Sequence, residues 1–469
     1  MIAAIAQNEF RGFLRNGVFI SLAAAMLALM IGAAALSAQR LATFERERAA
    51  AEAVDHEVWI GQGARNPHSA AHFARYAFKP VPRLAAFDPG VTDYAGLALW
   101  MEAHYQNPAV FRRAEDLGDA GRFADLSPAW ILQYAAPLFL FLVLFSSIAG
   151  EREQGTLRQM SASGLSARSL LAGKLAGAGL GVAAIIAPAL ILSLLAAGAG
   201  GIRTLPDVSV RTIGLAAAYV AYFVAIGGVA IGVSALAKEK RTALTALVAI
   251  WAGAFVLLPR LAASVAVTLH PTPEGATLSK ALKEASEAYY VSDELKEQLK
   301  ADTLAEHGVD KVDDLPFNYR GYALQWSEEY SHPLFEAFYD TLDATAARQE
   351  GVIAAASVFS PALAIDVLSA GLSGTDRHHH DAFRSAAEIH RRQTVKQLND
   401  DLTYNAKERR YTNDETLWRE IDDFSHTPPR FSELAGRYVP SALILFVYAA
   451  GGLAFAGFAL NRAQKEIAQ

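Results

Sequence analysis

Residues 129–158 read AWILQYAAPLFLFLVLFSSIAGEREQGTLR. From Ala129 to Ala149 there is no charge over about 21 residues, enough for a helix to cross roughly 30 Å of hydrocarbon. Glu151, Arg152, Glu153 and Arg158 then follow at once. A buried core helix would account for one such run, so the repetition decides the reading. Val18–Ala38, Leu175–Ile202, Thr212–Ala237 and Tyr438–Leu460 are also uncharged and long enough. A shorter run, Thr242–Pro259, meets Arg260 and continues apolar to Leu269. Val18–Ala38 follows Arg11 and Arg15 as a signal peptide would, but a signal peptide's apolar core is only about 7–15 residues, so an uncleaved span is expected. The fold class expected is an all-α membrane protein with six transmembrane helices.

Composition agrees. The 469 residues are 52% hydrophobic and 19% charged, with a mean hydropathy of +0.19, whereas an ordinary soluble domain carries about 25% charged residues. Disorder needs low hydrophobicity and high net charge. The net charge of -6 gives no basic footprint for nucleic acid. With no cysteine, disulfide scaffolds, thiolate metal sites and cysteine nucleophiles are excluded.

Short connections rich in Lys and Arg face the cytoplasm. The N-terminal tail has Arg11 and Arg15; the connection after the second span has Arg152, Arg158, Arg168 and Lys174. Lys238, Lys240 and Arg241 separate the fourth and fifth spans, and Arg462 and Lys465 follow the sixth. The short connection on the other side has Arg203 and Arg211 beside Asp207. Both termini are therefore expected in the cytoplasm of a bacterial inner (cytoplasmic) membrane protein.

The expected order is an amphipathic N-terminal helix (1–17), the first span (18–38) and a periplasmic insertion (39–128). The second span (129–149), a cytoplasmic connection (150–174), and the third (175–202), fourth (212–237) and fifth (242–269) spans come next. A second periplasmic insertion (270–437), the sixth span (438–460) and a cytoplasmic tail (461–469) complete the chain. Both insertions are expected to be mainly helical. In the first, helices are expected over Arg40–Glu57 and near Leu97–His104; in the second, over Ser279–Leu304, Ser327–Ala347, Arg384–Leu402 and Glu415–Phe424.

Gly150-Glu151-Arg152-Glu153-Gln154-Gly155-Thr156-Leu157-Arg158, then Ser163-Gly164-Leu165-Ser166, describe a charged helix start at a membrane exit, a glycine break and a short amphipathic helix. A solvated loop obeying the charge rule explains the arginines but not the two glutamates or the Gly-Thr-Leu. This run, with Gly173-Lys174 opening the third span, resembles the signature of ABC-2 type transporter permeases. Asn8 to Arg15 is similar to that family's elbow helix, with Phe10, Phe13 and Leu14 on one side and Arg11 and Arg15 on another, as an interfacial helix requires. Pieces of the long segments resemble a subgroup with large periplasmic insertions of unknown role: Met101–Asn107, Arg122–Pro128, Leu257–Arg260, and Leu372–Asp376 through Glu388–Arg391.

The resemblance implies a permease subunit, an exporter, coupled through residues 151–165 to a separate ATPase. On it, Glu151, Arg152, Glu153, Gly155, Thr156 and Leu157 form the coupling element, and Glu9, Phe10, Arg11 and Arg15 belong to the elbow. The chain has no G-x-x-x-x-G-K-[ST] loop, since Gly173-Lys174 is followed by leucine, so ATP and Mg would bind the partner and no cofactor this chain. Implied partners are the ATPase, a second permease copy or paralogue, membrane lipid and a periplasmic partner. Two alternatives stay open: a permease whose motion acts mechanically on a periplasmic partner without moving substrate, and a membrane receptor.

Gly173, Gly177 and Gly181, and Gly228 and Gly232, fall at spacing four, which lets helices approach closely within one subunit or between two. Arg260 is the one charge embedded near a span, either snorkelling outward or making a substrate or domain contact. His378-His379-His380-Asp381, with Asp376 and His390 nearby, invites a metal reading, with His379, His380 and His390 the weak candidates. Thr375-Asp376 reads more simply as a helix cap on a solvated helix, and no metal is expected.

Overall fold

The computed structural model describes residues 1–73, 75–116, 126–198, 205–273, 277, 280–281, 283–284, 292–408 and 410–468. The protein is 77% helical, and among the described residues six helices are long and apolar enough to cross a membrane.

Helix α1 (Ile2–Arg15) stops at Asn16. The Asn16 side chain accepts from the amides of Val18 and Phe19, starting α2 (Gly17–Ile60). At 44 residues α2 is roughly 66 Å long, so about half of it runs beyond the hydrocarbon as a stalk. The second span is interrupted. A π-turn (Ile131–Ala135) precedes α3 (Ala136–Leu144), and a break precedes α4 (Ala149–Glu153), which is followed by the short α5 (Thr156–Ala162). The third and fourth spans are α6 (Ala167–Gly198) and α7 (Val208–Leu236). Helix α6 starts well before Leu175, and the expected end of that span at 199–202 lies outside the described residues. A π-turn (Ala252–Leu257) splits the fifth span into α8 (Lys240–Trp251) and α9 (Leu258–Leu269). Each π-turn lies just before a proline, Pro137 or Pro259, where the lost backbone donor would otherwise strain a straight α-helix.

Some expected elements differ in the structure. Leu97–His104 is not helical: β1 (Arg75–Phe78) and β2 (Ala98–Met101) pair antiparallel, Arg75 opposite Met101 and Phe78 opposite Ala98. Cross-strand pairing overrides the helical preference of the Leu-Ala-Leu run. The expected helix at Ser279–Leu304 is described as α10 (Asp293–His307), capped by Ser292, with most of the upstream stretch outside the described residues. Helix α11 (Tyr319–Ala356) is longer than its expected counterpart.

One element was not anticipated: within residues 270–437 a helix, α12 (Pro361–Ser373), packs against both α7 and the sixth span. Ala362, Ala364, Ile365 and Leu372 join the same apolar cluster as the spans. Ser360 Oγ donates to the Ala254 carbonyl at 2.6 Å, and Ser369 Oγ lies 3.1 Å from the Tyr219 hydroxyl. Beyond it, α13 (Arg377–Asn405) is longer than expected and α14 (Glu415–Glu420) shorter. The sixth span is α15 (Phe431–Ala468), which runs on through the expected tail.

The two long segments form one body around the far end of α2. Trp59 packs edge-on against Trp418, each indole N–H donating to a backbone carbonyl, of Trp418 and Gly63 respectively. Arg75 bridges Asp55 and Asp423. Arg211, fully buried at the start of α7, binds Asp207 at 2.6 Å and the carbonyls of Gly371 and Pro429, tying span to inserted body.

Candidate functional site

The segment between the second and third spans is held by its own polar side chains. Fully buried Ser234 of α7 accepts from the amides of Ile148 and Ala149, both at 3.0 Å, and donates to the Phe145 carbonyl. It thereby supplies the hydrogen bonds that the break before α4 leaves open. Gly155 has φ +74°, a left-handed conformation suited to glycine, and turns the chain from α4 into α5.

The charges that the resemblance assigns to docking each have a partner within the chain, Glu151 and Arg152 half-buried and Glu153 exposed. Glu151 meets Lys174 at 3.2 Å, and Lys174 meets Glu9 of α1 at 2.7 Å. Arg152 donates to the Ala237 carbonyl at 2.8 Å and lies 3.7 Å from Glu466 in α15. Glu153 accepts from the Lys240 amide at 2.7 Å and pairs with its ammonium at 3.0 Å. Thr156 hydrogen-bonds to Glu151, and Leu157 is fully buried. Gln464 of α15 donates to the Leu165 carbonyl at 2.9 Å. The exposed residues of α4, α5 and the turn between them are Glu153, Gln154, Gly155, Arg158, Gln159 and Ala162. Residues from α1, α6, the α7–α8 turn and α15 therefore converge on one short helical element.

The elbow residues are placed differently from a helix lying free on lipid. A Cβ on Gly173 would clash with Ile5, and one on Gly177 would stand 2.6 Å from Glu9 Cβ, so the glycine stripe of α6 receives α1. Phe13 stacks on Phe19 at 4.9 Å. Glu9 and Phe10 are half-buried, while Arg11, Leu14 and Arg15 are exposed.

A cavity of about 810 Å³ opens between α2, the second span and the fifth, lined by Trp130, Tyr134, Trp251, Arg260, Asp88 and Asp366. Arg260, the embedded charge, sits on this wall. A second, apolar cavity of about 580 Å³ lies among α3, α6 and α7.

His379, His380 and His390 do not assemble. His379 and Tyr438 both bind Asp376, which caps α13 by accepting from the His379 amide. Asp376 thus pairs with His379. Burial acts to raise the Asp376 carboxyl, but the contacts with His379 and Tyr438 hold it down at about 2. His380 packs against Phe383, and His390 against Phe424. A different trio converges: His68, His72 and His104. Its sequence signal was Asn66-Pro67-His68 followed by a histidine four residues on, a capped turn with two imidazoles on one face.

These features define a multi-pass, predominantly α-helical membrane protein. Residues 277–427 match the model of a family described as a domain of unknown function (DUF3526). No curated protein and no solved structure matches the chain.

Proposed function

We propose that this chain is the membrane subunit of an ATP-driven ABC-type exporter, with a separate ATPase docking on the outward face of residues 154–162. The observation that carries this is the convergence of α1, α6, α7, α8 and α15 on α4 and α5 through Glu9–Lys174–Glu151, Arg152 and Glu153–Lys240. A push on an isolated loop dissipates, whereas a push on this element reaches five helices at once. On this reading Glu151, Arg152 and Glu153 transmit force, and Arg158 and Gln159 make the contact. The termini and this segment face the cytoplasm of a bacterial inner membrane, and the inserted segments face the periplasm. The cavity beside Arg260 is the cargo path.

Purification of the tagged protein from its native host in mild detergent should recover an ATPase subunit. Arg158→Glu should lower its recovery at least about tenfold, roughly 1.4 kcal/mol, with unchanged elution of the membrane subunit. Recovery without any nucleotide-binding subunit would overturn the reading. Reversal of Glu151 or Glu153 is the poorer probe because it also breaks pairs with Lys174 and Lys240. For sidedness, a cysteine at Glu297 should react with an impermeant thiol reagent applied from the periplasm, and one at exposed Ser163 should not. Reversed labelling would invert the topology.

One observation favours a second reading, in which ATP hydrolysis moves the inserted body and no substrate crosses. Helix α12 belongs to that body yet is wedged between α7 and α15, so rocking of those spans would be handed directly to it.

A further inference from the structure

The strongest unassigned chemistry lies in the inserted body, away from both cavities and from the segment at 149–162. His68 sits in a one-turn helix (Pro67–Ala71) opened by the Asn66 cap, and His72 follows it one turn later. His104 comes from the loop after β2, whose carbonyls at Glu102 and Ala103 are held by buried Arg391. The three rings are mutually close, with centroid separations of 5.0, 5.4 and 4.5 Å. One ligand-capable nitrogen from each lies within 4.8 Å of the other two.

Each ring has its Nδ1 on an oxygen. His68 Nδ1 lies 2.9 Å from Asn399 Oδ1, His72 Nδ1 3.2 Å from Glu102 and His104 Nδ1 2.6 Å from Glu328. Asn399 is oriented by donating its amide to Gln325 at 3.1 Å, so its oxygen faces His68 and the proton belongs on His68 Nδ1. With Nδ1–H donated outward, the Nε2 atoms of His68 and His72 carry lone pairs, an arrangement that metal-binding histidines use to fix tautomer and raise basicity. His68 Nε2 and His72 Nε2 then face each other at 3.3 Å. Two lone pairs at that distance repel unless a cation lies between them. On a tetrahedral ion with bonds of about 2.0–2.1 Å, two ligand nitrogens stand roughly 3.3–3.4 Å apart. The carboxylates supply the compensating charge. Glu328 is 2% exposed, and its Oε2 has no hydrogen-bond partner among the described residues.

We propose that His68, His72 and His104 bind one divalent transition-metal ion of the zinc class through their Nε2 atoms, with a fourth position open on the half-exposed His72 side. Three neutral imidazoles with no sulfur ligand select this class over magnesium or calcium. The ligands come from the first inserted segment, and the groups orienting two of them, Glu328 and Asn399, come from the second. The ion therefore fastens the two segments together. This inference is independent of the transport reading.

The test uses the full-length chain in detergent, carrying a histidine-free tag, stripped with chelator and titrated with zinc and then cobalt. The expected result is one zinc per chain, a rise in melting temperature and a cobalt spectrum of tetrahedral type. His72→Ala and His104→Ala should lose all three, with His390→Ala unchanged. Glu102→Gln should weaken zinc binding about 10- to 100-fold. No stoichiometric uptake by the wild type, an octahedral cobalt spectrum, or uptake that survives both His72→Ala and His104→Ala would overturn the assignment. The wild-type spectrum decides even if a variant misfolds.

Discussion

Replacing Gly228 by leucine is expected to abolish assembly of the membrane bundle, and Gly228→Ala to destabilise it by about 1–3 kcal/mol. Helices α7 and α15 make the most extensive helix pairing among the described residues. Their backbones touch where Gly228 meets Gly452. A Cβ on Gly228 would stand 2.5 Å from the Gly452 carbonyl carbon and 2.6 Å from its oxygen. A Cβ on Gly452 would stand 2.7 Å from the Ala225 carbonyl oxygen. These neighbours are backbone atoms, which cannot rotate aside as a side chain can, so the helices must separate. Separation also opens the fully buried contacts of Ala456, Ala459 and Leu460 farther along α15. Lipid tails offer no hydrophobic penalty to drive the helices back together, so close packing is the main term at stake. Gly451, one residue from Gly452, has nothing within 4 Å of its Cβ position and is the control. Size-exclusion profiles and melting in detergent should show Gly228→Leu lost and Gly451→Leu near wild type. Equal behaviour of the two would mean that α7 and α15 do not pair in this register.

The spacing that made Gly228 and Gly232 visible in the sequence is the same spacing that places them on one helix face, so this contact was legible in kind, though not in partner. The spans were legible for a similar reason: an uncharged run of spanning length, repeated along one chain, has no place in a water-soluble core. Helix α12 was not, because 13 residues are too short to read as a span and Asp366 interrupts the apolar stretch it belongs to. The strand pair was hidden because Ala98–Met101 is four residues long and finds its partner some twenty residues earlier. At 149–162 the charged residues could be picked out, but not their partners, since Lys174, Ala237 and Lys240 lie far along the chain from Glu151, Arg152 and Glu153. At His378–His380 the sequence favoured a helix cap over a metal site, and Asp376 does cap α13. The histidines that do converge are brought together by a strand pairing and by the hold of Arg391 on the Glu102 and Ala103 carbonyls, which no periodicity reports.

Buried charge gives the other large effect. Lys79 follows β1 and is 3% exposed, and its ammonium has no hydrogen-bond partner among the described residues. Burial lowers its pKa from 10.5 to about 8, although the carboxylates of Asp376 and Asp381 pull the other way. Both carboxylates are already engaged, Asp376 by His379 and Tyr438, and Asp381 by Arg377 at 2.6 Å. Nearby His380 is held neutral by burial, its own pKa lowered to about 3, and shares no charge with the lysine at neutral pH. A folded pKa below the unfolded value means that the unfolded chain binds more protons between about pH 8 and 10.5. Stability must therefore rise with pH across that window, and the full cost is present below it. Lys79→Met keeps a similar volume without the charge. It should stabilise the protein by about 3 kcal/mol at pH 7, the equivalent of lowering a pKa from 10.5 to about 8 at roughly 1.36 kcal/mol per tenfold change in proton affinity. The advantage should shrink as pH climbs and vanish above about 10.5. Thermal melts of both proteins in one detergent at about pH 7 and about pH 9.5, below and inside that window, measure this directly. A variant less stable than wild type at neutral pH would mean that the ammonium has a strong partner in solution. A pH-independent gain would mean that the methionine side chain, not the lost charge, supplies the stabilisation.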